Sequence, residues 1–150
     1  MQKTLGYFVT WTTYGTWLQG EEKGYVKNGC VLVENPQLRG ANIKALRGQP
    51  VKLYRKEKEI IRKAILSEAE RHNQKIFAIS VCSNHIHIVL EYCGKSIERI
   101  VGRYKAAGRI ALQRNGFNRR VWTKGYYKQY CFDEGSLQKR IKYVNSHNKD

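Results

Sequence analysis

The sequence predicts an α+β fold, an antiparallel sheet with helices packed on it. Three observations point there. Several runs rich in β-branched and aromatic residues have strand length, and two of them are joined by only two residues. Two segments repeat their apolar residues at helical spacing. Strand-like and helix-like segments follow one another in an order that a single layered sheet accommodates.

Residues 5–13, Leu-Gly-Tyr-Phe-Val-Thr-Trp-Thr-Thr, read as the first strand. From Tyr14 to about Lys52 the chain is glycine-rich and holds both prolines, Pro36 and Pro50, so a long irregular loop is expected at about 14–52. Residues 55–73 place Ile60, Ile61, Ala64, Ile65, Glu68 and Ala69 at helical spacing and predict an amphipathic helix. Residues 75–82 and 85–92 are apolar strands joined by Ser83-Asn84 in a hairpin. Residues 96–114 read as a basic helix with Ser96 as its N-cap and Asn115-Gly116 as its stop. Residues 121–132 are strand-like and aromatic, and Asp133 caps a last helix running to about His147. The order β-α-β-β-α-β-α is a ferredoxin-like plan in one domain, 1–150.

A chain of 150 residues can bury a core without disulfides or a structural metal. The start, Met1-Gln2-Lys3-Thr4, has no signal-peptide plan, and no apolar run is long enough for a membrane span, so a cytoplasmic location is expected. Cys30, Cys82, Cys93 and Cys131 are scattered without a C-x-x-C pair, which argues against a zinc ribbon and predicts free, mostly buried thiols.

Lys and Arg number 28 against 12 Asp and Glu, a net charge of +16. An imbalance of this size costs self-repulsion and suits a polyanionic partner. It is concentrated between Lys95 and Lys128, where ten basic residues face the single acid Glu98, with Tyr104, Phe117, Trp122, Tyr126 and Tyr127 interleaved. Basic side chains take phosphates while aromatic rings stack on unpaired bases. Arg99, Arg103, Lys105, Arg109, Arg119, Arg120 and Lys124 are therefore candidate nucleic-acid contacts. A solvated basic face would produce the same composition.

His85 and His87 stand two apart in a strand, so both imidazoles leave one face. Such a pair can grip one divalent ion if a third ligand arrives from elsewhere, or can be two polar groups on a sheet face. On the last helix Leu137, Ile141, Val144 and Asn148 form the core-facing stripe. Ser136, Arg140, Tyr143 and His147 form an adjacent one, roughly 100° round. Tyr143 and His147 are one turn apart and can point at the same spot. A tyrosine oxygen can attack a backbone phosphorus, and the energy kept in the phosphotyrosine lets a later 3′-OH reseal the strand without ATP. A divalent ion would stabilise the developing charge. The phenol titrates near ~10 and needs help losing its proton; Lys139, Lys142, the metal or a water would each serve.

With these residues in view, Ser83-Asn84-His85-Ile86-His87-Ile88-Val89 resembles the His-hydrophobic-His strand of HUH nucleases, in particular the single-tyrosine transposases of the IS200/IS605 group and the REP-associated tyrosine transposases. The segment from Phe8 to Trp17 is similar to the first strand of that group, Trp122-Thr123-Lys124-Gly125-Tyr126-Tyr127 to its tryptophan-led strand, and Ile141-Lys142-Tyr143-Val144 to its catalytic helix. The resemblance implies an HUH endonuclease fold, Tyr143 as nucleophile, and His85 and His87 as metal ligands. His147 stands where the family often has Gln or Asn as the third ligand. It further implies Mg²⁺ or Mn²⁺ as cofactor, single-stranded DNA with hairpin structure as partner, and either a monomer or a homodimer. Cleavage would leave a 5′-phosphotyrosine and a free 3′-OH. Tyr104, Tyr126 and Tyr127 are rival tyrosines, though none has a histidine one turn away. Two other readings compete: a non-catalytic nucleic-acid-binding module, and a metal hydrolase in which water attacks. The second suffers from a shortage of acids, with Glu91 alone close to the histidine strand.

Overall fold

The computed structural model describes residues 3–16 and 50–149. Residues 17–49, most of the expected 14–52 loop and including Cys30, lie outside the described residues. In chain order the elements are β1 (Gly6–Thr12), α1 (Arg55–Arg71), β2 (Ile76–Val81), β3 (His85–Glu91), α2 (Ile97–Arg114), β4 (Tyr127–Cys131) and α3 (Glu134–Ser146). A 3₁₀ turn, His147–Lys149, closes the described chain. The four strands form one sheet in the order β2-β3-β1-β4, every pair antiparallel. The expected α+β plan is the one observed.

Strand alternation divides the sheet into two unlike faces. Tyr7, Val9, Trp11, Ile79, Ile86, Ile88 and Leu90 point to one side, where they meet α1 and α2 in the main core. Ile61, Ile65, Ile100 and Leu112 are completely or almost completely buried there, each contributing about 1.5–3 kcal/mol of burial. The other face carries a smaller cluster, Phe8, Ala78, Val89 and Cys131, covered by α3 through Leu137 and Val144. Ile141 joins that cluster partly buried, as its place in the stripe predicts, whereas Asn148 is exposed. Asp133 caps α3 by accepting from the Ser136 amide at 2.7 Å, an arrangement worth about 1 kcal/mol. Gly6 lets the helix close down. A methyl group there would stand 2.7 Å from the Leu90 carbonyl oxygen and 2.8 Å from Leu137 Cδ1.

The strand expected over 121–132 is shorter than its composition suggests, because only Tyr127–Cys131 pairs as a ladder. Ahead of it Trp122 makes one isolated bridge to Thr13, and its indole nitrogen donates to the Lys105 carbonyl at 2.8 Å. Gly125 then takes a left-handed φ of 96°. The Thr123 and Gly125 carbonyls accept from the Lys105 ammonium instead of a neighbouring strand. The thiols also depart from expectation: Cys131 is buried, but Cys82 is half-buried and Cys93 exposed.

Candidate active site

The hairpin between β2 and β3 fixes where the histidines begin. The Cys82 amide donates to the His85 carbonyl at 2.8 Å, closing the turn. Thr13 and Leu53 amides then donate to the Asn84 and Ser83 carbonyls, pinning the turn to the ends of β1 and of the segment before α1. The register sets Ser80 opposite His87, His87 opposite Thr10, and Thr10 opposite Tyr127. These four side chains form a row across the sheet on the α3 face. Ser80, Thr10 and His87 are fully buried in it.

Each imidazole has its Nδ1 engaged. His85 Nδ1 meets Asn84 Oδ1 at 2.7 Å, and His147 Nδ1 meets the Tyr143 carbonyl at 2.8 Å. Carbonyl oxygens only accept, so these Nδ1 atoms carry the proton and Nε2 keeps a lone pair. His87 Nδ1 lies 2.8 Å from Thr10 Oγ1, while its Nε2 is buried with no hydrogen-bond partner. Burial pushes His85 down to about 4, helped by the charge of His147. His87 is pushed down to about 2, by burial first and then by His85, His147 and Arg140. Both are neutral imidazoles at physiological pH.

α3 carries Tyr143 across this row. Its ring centroid lies 5.4 Å from that of His87, 4.6 Å from His147 and 6.1 Å from Phe8. The histidine rings stand 4.4 Å (His85–His87), 4.9 Å (His87–His147) and 6.3 Å (His85–His147) apart. One chain therefore gathers His85, His87, Tyr143 and His147. The rival Tyr104 is fully buried in the opposite core and donates to Gln74 Oε1. Tyr127 shares the histidine row, its ring edge-on to Phe8. Lys139 and Lys142 are exposed on α3, and the cation over the Tyr143 ring is Arg140, 5.6 Å from its centroid and 4.5 Å from that of Phe8.

Does this donor set suit a divalent cation? Neutral rings, a partner at each Nδ1 (an acceptor for His85, for His87 a hydroxyl that can donate or accept) and an orphaned buried Nε2 suit a ligating histidine pair. An unpartnered buried group of this kind costs about 1–3 kcal/mol, which a bound ion would remove. His85 and His87 fit. A third ligand is not in place, because among the described residues no three His, Cys, Asp or Glu groups stand where they could together hold an ion. Glu91 is no substitute: it is exposed at the far end of β3, opposite Gly6.

Comparison with known proteins adds an independent observation. Residues 49–147 match the model of a family described as "Transposase IS200 like". The chain belongs to the IS200-like transposase family. The match takes in every element from α1 to α3 but not β1, which supplies Thr10 and Phe8. Among solved structures, this family member resembles a REP-associated tyrosine transposase bound to a REP hairpin, with 12% identity and a TM-score of 0.60 over 96% of this chain and 67% of that one. It also resembles a Deinococcus radiodurans protein described only provisionally as a transposase, at 13% identity and a TM-score of 0.49 over 100% and 95% of the two chains. The first likeness supports the fold. A search of curated proteins gave no match.

The expected DNA contacts of this IS200-like transposase fall elsewhere. Arg99, Arg103, Lys105 and Arg109 ride on α2, in the layer on the face away from the histidines. Arg99 and Arg109 are exposed and Arg103 half-buried. Lys105 is a tether, its ammonium held by the two carbonyls described above. Arg119, Arg120 and Lys124 are exposed beyond α2, with the Arg120 guanidinium 4.6 Å over the Tyr14 ring. Sequence reasoning passes over Thr10, Ser80 and the placement of Arg140. The Phe8-Thr10-Thr12 alternation is the signal for the first. Register supplies the second, and no local signal marks it.

Proposed function

We propose that this transposase cleaves and rejoins single-stranded DNA with Tyr143 as nucleophile. The observation that carries the reading is the Tyr143 ring 5.4 Å from a buried His87 whose Nε2 lacks a partner. Tyr143 Oη attacks the scissile phosphorus and its proton leaves to water. The bond from phosphorus to the 3′ oxygen breaks, and that oxygen takes a proton from water and departs as a 3′-OH, leaving a 5′-phosphotyrosine. The guanidinium of Arg140 would favour the phenolate and the phosphate oxygens. His85 and His87 would hold Mg²⁺ or Mn²⁺, with water or phosphate oxygens completing the shell, and the ion when bound would polarise the phosphoryl group.

The structure bound to a REP hairpin supports a folded-back single strand as substrate, with the exposed cations of α2 and of residues 119–124 as its holding surface. A binding module without chemistry would account for the charge. It would leave the buried Nε2 without purpose. A denaturing gel with labelled single-stranded DNA and Mn²⁺ tests the proposal, using hairpins from the DNA flanking the protein's own gene. A metal-dependent covalent band that is lost in Tyr143→Phe is the expected result; a band that survives in that variant removes Tyr143 as nucleophile.

A further inference from the structure

The cleft beside the histidines, about 780 Å³ in volume, does not end at the sheet face. It is lined by His85 and His147, by Val81 and Cys82 at the end of edge strand β2, and by Arg55, Lys58 and Arg62 of α1. Because α1 packs on the opposite face, the cleft passes round the open edge of the sheet. Arg55, Lys58 and Arg62, at i, i+3 and i+7, form one stripe along the helix. Glu59 is the single acid of the lining; its partner is Lys63 at 3.8 Å, with both side chains mostly exposed. Among the described residues no ion pair neutralises the three cations.

Immediately before the stripe, the Tyr54 ring is 63% exposed, with the Lys52 ammonium 5.7 Å from its centroid. The backbone leading to it is anchored. Val51 and Leu53 on either side of Lys52 are buried, and the Leu53 amide donates at 2.6 Å to Ser83 in the turn that launches His85. An exposed ring beside cations that have no acidic partner among the described residues suits unpaired bases and their phosphates; a duplex keeps its base faces covered.

We infer that the cleft along α1 is the track for the unpaired strand leading to the histidines, with Arg55 and Lys58 on phosphates and Tyr54 stacking on a base. This rests on the reading of DNA as substrate, and assigns the reacting strand to a surface separate from α2. Anisotropy of labelled oligothymidylate in EDTA, alongside a blunt hairpin, tests it without any chemistry. Arg55→Ala/Lys58→Ala should weaken oligothymidylate binding ten-fold or more and reduce the log–log salt slope by about 1.4, at ~0.7 per lost contact. Tyr54→Ala should weaken it about ten-fold with the slope unchanged. Hairpin binding should stay within two-fold for both. Oligothymidylate binding within two-fold of wild type in the double variant, or an equal loss on the hairpin, overturns the track. The covalent assay separates the two readings. A wild type that needs Arg55 and Lys58 for binding but never links to DNA leaves the track standing without the transesterase. One that links while the double variant binds and links equally well removes the track alone.

Discussion

On one face of the sheet Tyr7, Val9, Trp11, Ile86, Ile88 and Leu90 meet two helices in a continuous apolar core. On the other, the same strands present Phe8, Thr10, Thr12, His85, His87 and Val89 beneath one helix. The backbone and its hydrogen bonds are shared, so the two faces differ only in side chains. A period of two residues lets β1 and β3 serve stability with every odd position of one and every even position of the other, and leaves the remainder for polar groups. The large core supports a buried polar row that the small cluster around α3 would not hold alone. Substitutions on the two faces should therefore separate cleanly into losses of activity and losses of stability.

The largest effect is expected from Tyr143→Phe, which removes one oxygen from a half-buried ring. Covalent linkage to single-stranded DNA should fall by at least about 10³-fold, while the melting temperature stays close to wild type. His87→Ala comes next. We expect a loss of linkage of about 10²-fold or more. In the metal-free protein its stability should change by less than about 1 kcal/mol, because the lost ring contacts are offset by removal of an unpartnered buried nitrogen. A denaturant titration in EDTA reads this directly; a loss of several kcal/mol would mean that the imidazole is there for packing. On the opposite face, Ile65→Ala should cost about 2–5 kcal/mol. Its linkage rate should be near normal at a temperature where the variant is folded. If Ile65→Ala instead disabled chemistry in the folded protein, the independence of the two faces would be wrong.

How much of this is legible in the sequence follows the same division. Periodicity is local, so the amino-acid pattern alone places Ile61 and Ile65 on α1, the His85-x-His87 alternation and the Tyr143–His147 turn of α3. Helix register even puts Arg140 on the stripe of Tyr143, without showing that it lies over Phe8. Pairing across strands is not local. Nothing near His87 in the chain says that Thr10 and Ser80 flank it, since both contacts depend on a register fixed by strands many residues away. The charge count marks one basic surface and passes over another. The density between Lys95 and Lys128 draws attention to α2, yet Lys105 is an internal tether and the cations lining the histidine cleft are Arg55, Lys58 and Arg62, from a helix that also carries four glutamates. Composition counts charges; only packing shows which of them face the site. Strand-like composition over 121–126 fails for a related reason, because the Lys105 ammonium takes the Thr123 and Gly125 carbonyls and Gly125 turns the chain with a left-handed φ.

The smallest predicted effect tests a contact within the polar face. Thr10 belongs to β1, yet its hydroxyl is the partner of His87 Nδ1. Thr10→Val keeps the shape and replaces the hydroxyl with a methyl group. If the hydroxyl orients the imidazole, Mn²⁺ affinity and linkage rate should each fall about ten-fold, the usual scale for loss of a partner behind a histidine ligand. Thr10→Ser, which retains the oxygen, should recover most of both. A purely structural role predicts another pattern: Thr10→Val would lower stability, by about 1–3 kcal/mol for the stranded nitrogen, and leave the linkage rate of the folded protein unchanged. Metal titration beside a denaturant titration on the two variants separates these outcomes. Normal values in both would show that the 2.8 Å contact contributes neither to the site nor to the fold.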